Sequence, residues 1–295
     1  MKAQPSCRIG SSHPLRFWTA LLTLALGAGP AAVRALDVFK FDPAINLRFS
    51  GGSYSDGHLK ENPGFLLAGH DLSGLGWGPG NIGVTLISPR HFVTAAHVAP
   101  LPGTTVSFLN RDGVIKHYLV ESIHAIEHSI GVRTDLVVGR LTAAIPPDDH
   151  VSWFPTLRLP ANSDYPGLKV YSFGLYQSCG TNVIARWGNY DVLPFGGGDR
   201  VPDDIMIVTD WHRVTGEAQA QGNDSGSPTF VLYHGQLTLI GTHSAVNVNQ
   251  EPFVTLDVLV PAYFTQIKAQ LAMDGFDFVN AAADPVAGKP GSAPR

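Results

Sequence analysis

The sequence predicts an all-β fold of barrel or sandwich type with one C-terminal helix. Short apolar runs recur along the chain with turn residues between them, the pattern of strands rather than of helices. The 295 residues hold 32 glycines and 22 prolines, and only 15% are charged. That Gly and Pro content exceeds ordinary usage but stays below the level of disordered chains, and no Gly-x-y period marks a collagen. Helical spacing is confined to one stretch near the end.

The strands fall into two blocks. In the first, Ile82–Ile87, His91–Ala95, Thr105–Leu109 and Leu136–Leu141 read as strands, with Asn110-Arg111-Asp112-Gly113 as a turn. Tyr118–Ile123 also reads as extended. Residues 146–167 open on Pro146-Pro147-Asp148-Asp149, close on Tyr165-Pro166-Gly167 and lack periodicity, so they read as a connector. The second block comprises Leu168–Phe173, Val183–Trp187, Ile205–Trp211, Thr229–Tyr233, Leu237–Gly241 and Phe253–Leu259. A helix is expected over 261–273, where Pro261 suits the first turn and Tyr263, Phe264, Ile267 and Leu271 recur at helical spacing. Residues 274–295, rich in Ala, Pro and Gly from Ala281 onward, read as a flexible tail. Ser73–Gly80 reads as a loop: the third glycine of a phosphate-binding turn is missing, and a strand follows instead of a helix.

Residues 1–35 carry Lys2, Arg8, Arg16 and Arg34, no acidic residue, and the apolar run Phe17–Leu26. With Val33-Arg34-Ala35 at its end, this segment reads as a secretory signal cleaved after Ala35. The run is shorter than the roughly 20 residues of a membrane span, so an uncleaved anchor is the weaker alternative. Its removal leaves 16 basic against 24 acidic residues and moves the net charge from −4 to −8. A chain of that charge is not built to hold nucleic acid or anionic lipid. The mature protein is expected in a secreted or periplasmic location, as a monomer without nucleic-acid or membrane partners. Only Cys7 and Cys179 occur, so disulfides do not staple this fold. Cys179 alone remains after cleavage, as a buried small hydrophobe or a reactive thiol.

Three stretches carry chemistry: Thr94-Ala95-Ala96-His97, Thr134-Asp135-Leu136-Val137-Val138, and Gly222-Asn223-Asp224-Ser225-Gly226-Ser227-Pro228. Each is weak alone, but together they supply a nucleophile, a base and an orienting acid. A serine hydroxyl needs a base to take its proton during attack, and an imidazole can accept that proton and pass it on. The order His, Asp, Ser excludes an α/β-hydrolase, which runs Ser, Asp/Glu, His with glycines two positions either side of the nucleophile; here those positions are Asn223 and Ser227.

Leu86-Ile87-Ser88-Pro89-Arg90-His91-Phe92-Val93-Thr94-Ala95-Ala96-His97 resembles the histidine segment of trypsin-like (chymotrypsin-fold) serine proteases, and the Asp and Ser stretches are similar to that family's other two signatures. The Gly-Ser-Pro ending resembles secreted bacterial members. The resemblance covers about residues 80–270. It implies two perpendicular six-stranded β-barrels, with 36–145 forming the first and 168–260 the second. It also implies His97, Asp135 and Ser225 as the triad in the cleft, a polypeptide substrate, and no cofactor or metal.

The resemblance implies an oxyanion hole from the N–H groups of Asn223 and Ser225, although glycine is usual at the first position. Asn tolerates positive φ better than most residues, so the hole is expected to form. The Asn223-Asp224-Ser225 sequon is read as chance. No Ile-Val-Gly-Gly start occurs near Leu36, so Asp224 is expected to be satisfied within the fold without a separate zymogen cut. Counting back from Ser225 puts Gln219 at the base of the substrate pocket. Ser244, beside Asp135, Val246 and Phe253 would line it, which implies small or modest uncharged P1 residues. A loop shift that leaves these side chains in the core is the alternative. Two further readings compete. His124-Ala125-Ile126-Glu127-His128 matches a zinc peptidase pattern but sits among strand-like residues. A catalytically weak or inactive homologue that acts as a binding protein is the other, on account of Asn223.

Overall fold

The computed structural model describes residues 36–53, 58–192, 201–247 and 251–283; the expected signal segment (1–35) and the end of the tail (284–295) lie outside the described residues. The described chain opens with β1 (Asp37–Val38), a single helical turn α1 (Pro43–Asn46) and a hairpin of β2 (Phe49–Ser53) and β3 (His58–Glu61). Asp42 caps α1 by accepting the Ala44 N–H at 2.9 Å, as the N-cap rule requires of a short helix starting at proline. None of these elements belongs to a barrel. β1 pairs instead with β13 (Ala218–Gln219), so the first barrel is narrower than the expected 36–145 span.

That barrel runs from β4 (Leu75–Trp77) through β5 (Gly83–Leu86), β6 (His91–Ala95), β7 (Thr105–Leu109) and β8 (Ile115–Ser129) to β9 (Val132–Leu141). It closes in the order β4-β5-β6-β9-β8-β7. The Gly-rich stretch expected as a loop contains β4. Its glycine is a packing requirement: a Cβ at Gly76 would stand 2.4 Å from the Phe108 ring. Val84, Leu86, Phe92, Val106 and Phe108 fill this barrel, each contributing about 1.5–3 kcal/mol by leaving water.

The second barrel comprises β10 (Lys169–Phe173), β11 (Cys179–Val192), β12 (Val201–Trp211), β14 (Pro228–Tyr233), β15 (Gln236–Asn247) and β16 (Phe253–Leu259), closed as β10-β11-β12-β16-β15-β14. Val170, Ile184, Ile207, Val231 and Ile240 form its interior. A third cluster joins the barrels, with Val93, Leu136 and Val138 from the first against Phe173, Met206 and Phe230 from the second. Closure matters because it leaves no strand edge open in either sheet.

A 3-10 turn (Val260–Tyr263) leads into α2 (Phe264–Ala272), which buries Ile267 and Leu271 against that shared cluster. The segment after α2 departs from the expectation of a flexible tail from 274 onward. Phe278 is 1% exposed, and Thr156 in the connector exchanges hydrogen bonds with Val279 and Ala281. One buried aromatic and two backbone bonds suffice to hold residues 274–283 down. No described helix is long and apolar enough to cross a membrane.

Candidate active site

His97 sits on the 3-10 turn Ala96–Val98 directly after β6. Antiparallel pairing of Ala95 with Leu136 then places Asp135 of β9 beside it. The Asp135 carboxylate accepts the His97 backbone N–H at 3.0 Å and meets Nδ1 at 2.8 Å. On the far side of the ring, Nε2 lies 2.9 Å from Ser225 Oγ. Asp135 is wholly buried, and Ser225 keeps 7% exposure.

Ser225 stands on the turn that enters β14. Gly226 takes φ 82°, and a Cβ there would meet Thr94 Oγ1 at 2.3 Å. Only glycine lets the second barrel's Ser225 loop close against the first barrel's β6. The loop is tied to β15 by the Gly226 N–H to the His243 carbonyl and the His243 N–H to the Ser227 carbonyl. His243 itself is buried, with Nδ1 at 2.5 Å from Asp257 and Nε2 at 2.7 Å from the Phe173 carbonyl. Both acceptors demand a ring proton. Burial pulls the His243 pKa down, but the charge and hydrogen bond of Asp257 outweigh it and raise the value.

The sequence-predicted site residues separate into two groups. Ser244 joins the Asp135–His97–Ser225 line, because its hydroxyl donates to Asp135 Oδ2 at 2.5 Å. Gln219 is buried on β13, and its Nε2 has no partner among the described residues. Val246 is partly buried against the cluster of Leu36, Val38, Ala218 and Ala220. Phe253 stacks on Trp211 at 6.0 Å, with the Arg213 guanidinium 5.8 Å from the Phe253 ring. Asn223 is exposed and does not adopt the positive φ expected of it. It lies instead in a tight turn closed by the Asp224 N–H to the Gln221 carbonyl at 2.9 Å. Such a turn accommodates a Cβ without left-handed backbone. Neither the Asn223 nor the Ser225 N–H has an acceptor among the described residues.

Sequence reasoning missed the partners that hold this machinery. Asp224 is fully buried and accepts three backbone N–H groups at 2.7 Å each, from Leu36, Leu175 and Gln221. Burial raises its pKa, opposed by those donors. The Leu36 contact was open to inference, since the residue after the expected cut is the natural candidate for the carboxylate before the nucleophile. Asp204, whose carboxylate accepts the Asp135 backbone N–H at 2.7 Å, had no such signal, for an acid heading an apolar strand reads as a solvated end. His124, Glu127 and His128 lie on β8, where residues four apart are about 13 Å distant along the strand and not one helical turn. Cys179 is fully buried, and burial pushes its thiol pKa well up, so it is a core side chain and not a reactive one.

The trypsin family description matches residues 81–268. None of the curated proteins matches the chain. Two closed six-stranded barrels with a C-terminal helix form the chymotrypsin fold, and the matched span includes every strand of the second barrel and five of the first. The chain belongs to the trypsin family of serine proteases.

Proposed function

We propose that the protein is a secreted serine endopeptidase that cleaves peptide bonds through an acyl-enzyme on Ser225. The observation that carries this reading is the continuous line Asp135–His97–Ser225, at 2.8 and 2.9 Å. Ser225 Oγ attacks the scissile carbonyl carbon while its proton passes to His97 Nε2. Asp135 holds the ring by Nδ1 and stabilises the imidazolium, following the roles of this family's triad. The N–H groups of Asn223 and Ser225 receive the oxyanion. The imidazolium then returns the proton to the leaving amine, and water repeats the sequence on the ester.

Gln219, Val246 and Phe253 support a preference for small or modest uncharged P1 residues. An amide rather than an acid occupies the pocket base, and Arg213 beside Phe253 adds a positive charge unfavourable to a basic P1 group. Removal of a signal after Ala35 would make the Leu36 nitrogen an α-ammonium 2.7 Å from Asp224. In this reading one cut both releases the enzyme and places a cation on its buried carboxylate.

A fluorophosphonate probe tests the reading without a known substrate. The protein beginning at Leu36 should label stoichiometrically and Ser225→Ala should not. Folded wild type that resists the probe would mark the chain as a binding homologue. Preferred cleavage after Arg or Lys in a peptide library would overturn the pocket assignment alone.

A further inference from the structure

A second buried carboxylate stands directly behind the triad. Asp204 of β12 is 0% exposed. The preceding Asp203 takes a left-handed φ of 54°, and the β11–β12 register shifts between Tyr190 and Val192. Strain of that kind persists only where surrounding structure enforces it. Asp204 Oδ2 accepts the backbone N–H of Asp135 at 2.7 Å. Its Oδ1 accepts the Tyr263 hydroxyl at 2.6 Å, and the Tyr263 oxygen accepts the Ile205 N–H at 3.0 Å. The triad acid of the first barrel is thus gripped by its own amide from the second barrel and, through Tyr263, from the turn before α2.

A neutral acceptor could have satisfied one N–H and one hydroxyl. A buried carboxylate is an expensive choice unless a cation compensates it, and among the described residues no cation contacts Asp204. The groups facing it are the Asp135 charge from β9, the Tyr263 phenol, and Tyr190, opposite it in register on β11; His97 lies beyond Asp135. Burial drives the Asp204 pKa up to about 6, against the hydrogen bonds from Tyr263 and from the Asp135 and Ile205 backbone that favour its charge.

We propose that Asp204 is a positioning residue of the triad, fixing the Asp135 backbone and adding a second negative charge that favours the imidazolium of His97. The charge helps only when the ring becomes cationic, which is when Ser225 has given up its proton, so it stabilises the transition state more than the ground state. The proposal rests on the peptidase reading.

The experiment is the rate of Ser225 modification by a fluorophosphonate, followed across the pH range in wild type and two variants. Asp204→Asn keeps the shape and one acceptor oxygen for the Asp135 N–H, turns an amide donor toward the Tyr263 oxygen, and removes the charge. It should label about tenfold more slowly on the neutral plateau, with its acid limb displaced by about half a unit to lower pH, because the imidazolium has lost a stabilising charge. Tyr263→Phe keeps the charge but removes its donor, so the carboxylate protonates more readily and the acid limb should move to higher pH. Opposite displacements are a signature that a purely structural role would not produce. Wild-type rates and limbs in Asp204→Asn, or equal losses in both variants without movement of the limb, overturn the proposal. If Asp204→Asn does not fold, the direction of the Tyr263→Phe displacement decides. A wild type that never labels overturns the peptidase reading and this proposal with it, whereas labelling wild type with unmoved variants overturns the proposal alone.

Discussion

Asn223 stands where the family resemblance implies glycine, and its backbone resolves part of the difficulty. Its side chain is exposed and its φ is not left-handed, so the position carries no Cβ strain in this conformation. What the proposed chemistry needs there is the N–H. Asn223→Pro should therefore cost about 10²–10³ in labelling rate or kcat by removing one oxyanion donor. Asn223→Gly, which keeps the N–H, should stay within about tenfold of wild type. Equal effects of the two would mean that the Asn223 amide takes no part. At this scale the candidate triad was legible, because His97, Asp135 and Ser225 each lie inside a contiguous motif. Asp204 and Tyr263 were not, since nothing adjacent to them in sequence reports that they meet Asp135 in space.

The elements that position the site are mostly those the sequence marked, with informative exceptions. β6, β7 and β16 coincide with the runs His91–Ala95, Thr105–Leu109 and Phe253–Leu259, where β-branched and aromatic residues sit between turn signals. β4 was misread because Gly74, Gly76 and Gly78 look like a loop, while Gly76 is in fact the gap into which Phe108 packs. The chain from Leu36 onward reads as the start of the first barrel, but β1 pairs with β13 instead. Leu36 and Val38 are buried against Ala218 and Ala220, beside Val246 at the expected pocket wall, so this short element packs on the second barrel next to the proposed pocket. A hydrogen bond to a buried carboxylate from an ammonium is worth more than one from an amide, by about 1–2 kcal/mol. Protein starting at Leu36 should accordingly melt several degrees higher than protein that retains Ala35. N-terminal mass analysis of exported protein should find Leu36. Equal melting temperatures for the two forms would show that the amine does not reach Asp224.

Over the whole molecule, buried charge is where stability yields to activity. Asp204 has a folded pKa of about 6 against an ordinary 3.8. Between those values the folded chain retains a proton that the unfolded chain has released. Stability is therefore greatest from this group below pH 3.8 and falls as pH rises toward 6 and beyond. Asp204→Asn escapes that loss. It should exceed wild type by about 1–2 kcal/mol at pH 7, with the difference vanishing near pH 4. Calorimetry at both pH values checks this, and a variant less stable than wild type at neutral pH would contradict it. Together with the slower labelling expected above, the result would be a protein made firmer and slower by one atom exchange, as expected where a site retains a destabilising charge for function.

The sequence by itself determined the all-β class, most barrel strands and the helix face of Ile267 and Leu271, and it offered His97, Asp135 and Ser225 as the candidate triad. Periodicity and contiguous motifs are local properties, and local properties are written in order along the chain. Only the tertiary structure decided that Leu36 meets Asp224, that Asp204 meets Asp135, and that residues 274–283 return to pack Phe278 against the shared core. Those contacts join residues 69 to 188 positions apart, or rest on a single buried side chain. Closure of two barrels brings them together, and burial then sets the charges that the site works with.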